Sequence, residues 1–285
     1  GIFDFKGATI TNGRLSAAGA GVVKGTSMTF SDSSLALGSG TSASNVFTDG
    51  TVTLASGGSS GSIALGNDQA LVVDGQLTAA YSITTSGASG HNSLVRGAGV
   101  IRSGFTVTGN TTLELDLTAP FAGQIVFSAG SNSDVTVVKL LSDLVLSTGS
   151  ALSTNEGTYG SAQNKINCNG FRTFLGGQGT DFYLLNNSMY FTNADLHLYG
   201  DVAIQSDKTI HFDGSLQGYG NTLSLGNSGS CLSNSGSDVY LSDVTLYPFG
   251  DSTLVGSGNW NMHNVTLDND TNSITFDGTL LWSGS

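Results

Sequence analysis

The chain has 285 residues, of which only 11% are charged, with 41 Gly and 2 Pro; it is Gly-rich without the proline of collagen or of a Pro-rich linker. A net charge of −12 with no basic stripe argues against nucleic acid as a partner. No apolar run approaches the about 18 residues of a membrane span, so no membrane insertion is expected.

The first 155 residues alternate apolar and polar positions. Met28 and Phe30, Leu35 and Leu37, Val52 and Leu54, Leu71 and Val73, Val107, and Leu113, Leu115 and Leu117 all follow this period of two. Turn dipeptides such as Asp49-Gly50, Asp74-Gly75 and Gly109-Asn110 separate them. Short, evenly punctuated strands indicate an all-β chain, and a β-sandwich competes with a solenoid here. Helix formers are scarce: Glu114 and Glu156 are the only glutamates.

Residues 156–195 are the least regular part and are expected to carry a lateral loop. They include Gly176-Gly177-Gln178-Gly179-Thr180-Asp181, which matches a calcium-binding nonapeptide and makes Gly177, Gly179 and Asp181 a calcium candidate. Such a site needs consecutive copies and there is one, so a Gly-rich turn before a strand is the stronger reading.

From residue 196 to the end a repeat emerges. Val202-Ala203-Ile204, Leu223-Ser224-Leu225, Val244-Thr245-Leu246 and Val265-Thr266-Leu267 recur every 21 residues. Ile210-His211-Phe212, Cys231-Leu232, Leu254-Val255 and Ile274-Thr275-Phe276 run beside them, as do Val239-Tyr240-Leu241, Trp260-Asn261-Met262 and Leu280-Leu281-Trp282. Three short strands per period of about 21 residues predict a β-solenoid with coils stacked in parallel at about 4.8 Å. No linker divides the chain, so one elongated domain spanning 1–285 is expected.

The runs Lys208-Thr209-Ile210-His211-Phe212-Asp213-Gly214, Gly220-Asn221-Thr222-Leu223-Ser224-Leu225-Gly226 and Asp243-Val244-Thr245-Leu246 resemble the degenerate repeats of bacterial surface β-helices. The family types are autotransporter passengers, filamentous-haemagglutinin-like adhesins and polymorphic outer-membrane proteins. The resemblance implies a right-handed parallel β-helix, an extracellular, cell-surface location and a structural or adhesive role. It lacks the membrane-barrel segment of a full-length autotransporter. A start at Gly1 rather than Met, without a signal-peptide pattern, fits a processed or excised chain.

Candidate chemistry is sparse. Asp201 and Asp243 stand two periods apart, in a row with Thr222 and Asn264, and could pair as in a polysaccharide hydrolase. The same row reads better as turn residues bonding their own backbone. His91, His197, His211 and His263 have no metal-ligand spacing, and His197 and His211 sit mid-triplet, where a side chain faces solvent. Thr51-Val52-Thr53 and Thr106-Val107-Thr108 suggest an ice-binding array, but that needs Thr at both outward positions of every coil, and in the regular region these are Asp243, Thr245 and Tyr247, then Asn264, Thr266 and Asp268. Cys168 and Cys231 lie 63 residues apart, three periods, and are expected as separate inward thiols about 14 Å apart. Asn110, Asn264 and Asn269 head sequons that composition alone explains. No cofactor is expected.

The ends of a solenoid expose unpaired strand edges, a template for another chain. The expected assembly interface is Ile2, Phe3, Phe5 and Lys6 at one end and Leu280, Leu281 and Trp282 at the other. Residues 1–30 carry a net +2, from Lys6, Arg14 and Lys24 against Asp4, whereas residues 209–285 have no Lys or Arg and a charge of −7. The expected function is therefore a non-enzymatic extracellular subunit of a head-to-tail self-assembling filament whose partner is itself. A monomeric adhesin domain binding cell-surface glycans is the first alternative, and a polysaccharide-degrading β-helix enzyme the second.

Overall fold

The computed structural model describes residues 2–4, 8–11, 14–17, 22–25, 29–31, 34–37, 44–47, 51–55, 63–65, 70–73, 76–79, 82–85, 89–102, 104–119, 121, 123–146, 152–154, 162–176, 183–185, 188–205, 207–226, 230–234, 236–269 and 271–284. The described residues are strands and turns with no helix, and the strands stack in parallel as a β-solenoid with coils about 22 residues apart. By contacts the chain divides into two compact units, residues 1–142 with 154–162, and residues 143–153 with 163–285.

In the first unit the strands cycle through three faces. Ile2–Asp4, Val22–Gly25, Ser44–Phe47, Ala70–Val73, Asn92–Gly97 and Thr112–Leu117 follow one another on the first. Thr9–Thr11, Thr29–Ser31, Thr51–Ala55, Gln76–Ala79 and Val100–Ile101 form the second. Arg14–Ala17, Ser34–Leu37, Ile63–Leu65, Ile83–Thr85, Phe105–Thr108 and Ile125–Ser128 form the third. Alternation sends every second side chain inward, and register then stacks like on like. Leu71, Val95, Leu115 and Leu140 occupy one inward column, each at most 1% exposed. Each such side chain contributes roughly 1.5–3 kcal/mol by leaving water. Phe121 closes a corner by stacking on Phe105, ring centroids 4.8 Å apart.

The second unit repeats the plan with uneven coil lengths. Val202 pairs with Leu223, Leu223 with Leu246, and Leu246 with Leu267, giving steps of 21, 23 and 21 residues. On the next face Ile210, Leu232, Leu254 and Phe276 stand 22 apart. Val239 pairs with Trp260 and Trp260 with Leu280, steps of 21 and 20. The strict period of 21 thus gives way to steps of 20 to 23 residues: corners absorb insertions while each strand keeps its in–out alternation. One consequence corrects the sequence reading. Val244-Thr245-Leu246 is two residues out of step with Leu223-Ser224-Leu225, because Thr222 rather than Ser224 faces Thr245.

The stretch 163–198 holds Gln163–Asn167, Arg172–Leu175 and the 10-residue strand Met189–Leu198. That long strand turns a corner. Its register against Ile210–Gln217 jumps between Phe191 and Ala194, and Asn193 there has φ 49°. Asn tolerates the left-handed region better than most residues, so the bulge sits where the sequence allows it.

Candidate functional surface

Corner aspartates of the second unit tie coil to coil. Asp201 Oδ1 accepts the Thr222 N–H at 2.7 Å, Asp238 Oδ1 that of Asn259 at 3.0 Å, and Asp251 Oδ1 that of Ser273 at 2.9 Å. Asp213 accepts from Asn193 N–H, and Asp143 from Arg172 N–H and its guanidinium Nε. These carboxylates bond the neighbouring coil, whereas the turn-residue reading had such residues bond their own backbone. Asp201 and Asp243 also do not share a row: Asp201 lies in the column of Thr222 and Thr245, two positions beyond Asp243, because of the 23-residue step.

Asp243 has a different environment. Its backbone is left-handed, φ 49°, as is that of Asn264, φ 51°, one coil on. Its carboxylate accepts from Gln217 Nε2 at 2.8 Å and Asn264 Nδ2 at 3.1 Å, which hold its pKa below the ordinary carboxylate value. The three residues line an open cleft of about 390 Å³ whose rim is Tyr219. A second cleft of about 260 Å³ is lined by Ser242 and His263, with Tyr240 and Trp282 in its wall.

Tyr219 belongs to the turn Gly218-Tyr219-Gly220-Asn221, closed by Asn221 N–H to Gly218 O at 3.0 Å, with φ 55° at Tyr219 and 85° at Gly220. The phenol meets His197 Nδ1 at 2.6 Å, and His197 Nε2 meets Asp195 Oδ1 at 3.1 Å, which also accepts from Ser215 Oγ. His197 therefore does not face solvent. It points outward but is only 9% exposed, beneath Phe174 and Tyr219. His211 is half-buried too, stacked on Tyr190 with centroids 4.2 Å apart, and burial lowers its pKa. A period-2 count gives the side of the sheet, not whether an aromatic from the adjoining coil lies over it.

The last coil is the other distinctive surface. Trp260 and Met262 are buried, yet Leu280 and Trp282, next in the same columns, are 37% and 45% exposed. Leu281 is 48% exposed on the outward side. Leu267, Ile274 and Phe276 are likewise only half-buried, although the residues they stack on are buried. At the other proposed end, Ile2 and Phe3 lie in a strand paired with Val22 and Val23, while Phe5 and Lys6 fall outside the described residues.

Gly177, Gly179 and Asp181 also fall outside the described residues; the strand Tyr183–Leu185 follows them. Among the described residues no cluster of metal-ligating side chains occurs. Cys168 is a free, buried thiol, pushed up to about 11 by burial. The side chain of Cys231 lies outside the described residues, and its backbone register corrects the spacing argument. Leu232 falls in the column of Asn164, so Cys231 and Cys168 are not in strict register. The sequon residues Asn110 and Asn264 have their amide nitrogens committed, to Asp134 Oδ1 and Asp243 Oδ1. In the first unit Thr9, Thr29, Thr53 and Thr78 share one backbone column, a row invisible without the register.

Compared with known proteins, the chain matches no protein-family model, no curated protein and no solved structure.

Proposed function

We propose that the protein is a non-enzymatic extracellular scaffold whose copies add end to end, coil upon coil, into a filament. The observation that carries the reading is the last coil. Leu280 and Trp282 continue the core columns of Trp260 and Met262 but remain 37% and 45% exposed. In this reading the coil that buries them, as they bury their predecessors, comes from the next copy.

The backbone offers the same fit. Ser283 O accepts the Asn264 N–H, so Ser283, and by alternation Leu281 and Thr279, turn their peptide groups toward Asn259–His263. Those of Leu280 and Trp282 point the other way, toward an added strand. The charge split favours unlike ends: net +2 in residues 1–30 against −7 in residues 209–285. Head-to-tail contact is heterologous and leaves both ends open again, so it propagates. Charge would steer the encounter, while apolar burial and strand pairing would hold it.

The test is particle size against concentration, by light scattering and electron microscopy. Assembly is expected to grow with concentration, to start more slowly in high salt, and to stop when Leu280→Asp and Trp282→Asp are combined. Both residues are already exposed, so the variant should keep its strand content. A monomer at every concentration, in low and high salt alike, overturns the reading in favour of a monomeric adhesin domain.

A further inference from the structure

We infer that the cleft beneath Tyr219 is a binding site for an uncharged oligosaccharide. This goes beyond the scaffold reading and rests on residues that the end-to-end contact does not use.

The first observation is a tyrosine where the backbone favours another residue. Gly218-Tyr219-Gly220-Asn221 has a twin in the same unit, Cys168-Asn169-Gly170-Phe171. Both close with an i to i+3 hydrogen bond, and both have two central residues at positive φ: 53° and 81° in the twin, 55° and 85° here. Asn-Gly is the sequence this turn type prefers. A bulky aromatic in the left-handed region is an outlier, which directs attention to what its side chain does.

The side chain is held, yet not buried. Its hydroxyl is fixed by His197 at 2.6 Å, and His197 is fixed in turn by Asp195. The residue is still 56% exposed. A ring locked at its polar tip and open along its body is a preorganised stacking platform, with little side-chain entropy left to lose on binding.

The second observation is what the platform overlooks. The cleft is about 390 Å³, within the range of small-ligand sites, and Gln217, Asp243 and Asn264 project into it. Amide and carboxylate groups in one place supply both donors and acceptors, the complement of vicinal hydroxyls. Asp243 and Asn264 occupy equivalent positions in consecutive coils, so these groups repeat at the coil spacing of about 4.8 Å. A linear chain of pyranose rings presents hydroxyls at a comparable repeat.

Charge selects the class. None of the eight residues lining the cleft is Lys or Arg, and residues 209–285 carry −7. Uronates, sulfated glycans and nucleic acids are repelled. A cationic peptide is the remaining polar alternative, but the Asp243 carboxylate already accepts from two amides. A hydroxyl needs only a remaining lone pair, whereas an ammonium group gains most from an unshared carboxylate.

The experiment is titration calorimetry with oligosaccharides of about four to six rings, built of glucose, mannose, xylose or galactose. A galacturonan of equal length and a Lys-rich peptide serve as comparators. At least one neutral sugar is expected to bind, and both comparators to fail. Tyr219→Asn copies the chain's own Asn169 turn, keeps the backbone comfortable and removes the platform; it should weaken binding about ten-fold or more. Tyr219→Phe, which frees the ring from His197, should weaken it less, and Phe249→Ala, outside both clefts, not at all. The inference is overturned if no neutral sugar binds, if Tyr219→Asn binds as tightly as the parent, or if the peptide or galacturonan is preferred. Assembly measured on the same variants should be unchanged, so failure here and failure of the filament reading are distinguishable.

Discussion

Gly218 illustrates how a single residue can set the distance between coils. A Cβ built there would meet Asp243 O and Val244 Cβ, both at 2.5 Å, in the adjoining coil. The neighbour is backbone and cannot rotate away, so the coils would have to part where the cleft begins. Gly218→Ala should therefore destabilise by about 1–3 kcal/mol, measured by chemical denaturation. Gly220→Ala has open space around its Cβ but a φ of 85°, so its penalty is conformational only. Equal, negligible effects of both substitutions would contradict the close approach at Gly218.

Elements are joined at corners, and a buried threonine cluster shows how one corner in the first unit is sealed. Thr85 Oγ meets Thr111 Oγ at 2.7 Å and accepts the Thr108 N–H at 2.9 Å; Thr108 Oγ donates to Thr85 O, and Thr111 Oγ to Thr108 O, both at 2.6 Å. Thr85 is 1% exposed, so water cannot replace what is lost. Thr85→Val keeps the shape and strands the Thr108 N–H; a loss of roughly 1–3 kcal/mol is expected. Thr84→Val, on the outward side with only a 3.5 Å bond to Ser82 O, should lie within about 0.5 kcal/mol of the parent. A thermal melt of each variant decides. If the two are alike, the cluster contributes nothing beyond packing.

At the scale of the whole molecule these devices make stability depend on pH at both extremes. Asp134 is held low by Ser131 and Gly130, Asp243 by Gln217 and Asn264, and Asp251 by Ser273. For Asp143, burial acts upward but the bonds from Arg172 outweigh it. A carboxylate lowered in the fold contributes stability present above its unfolded value, near 3.8, and loses it as pH falls through the folded value. Cys168 works at the other end. Burial pushes its thiol up to about 11 in the fold against 9.0 for an exposed thiol, so the unfolded chain ionises first. Its contribution is complete below pH 9 and drains away between 9 and 11, by roughly 2–3 kcal/mol. Denaturation midpoints should therefore form a plateau flanked by an acid and an alkaline decline. Cys168→Ala should flatten the alkaline side relative to the parent, and Asp134→Asn the acid side. An unchanged alkaline slope in Cys168→Ala would mean that the thiol is not buried as described.

The all-β class, the parallel solenoid and its coil length were legible in the sequence, because alternation and period are local properties of a chain that buries one side of every strand. Columns such as Leu71, Val95, Leu115 and Leu140 need nothing more than that period to form. The cleft was not legible. Which corner residues face each other depends on insertions that a mean period hides, and the 23-residue step moved Asp243 out of the row of Asp201. Tyr219 carried a weak signal, an aromatic between two glycines in a turn. Its hold on His197 joins residues 22 positions apart across two coils. Sequence fixes what repeats along the chain; the register between coils, set by how many residues each corner takes up, decided which side chains meet to form a site.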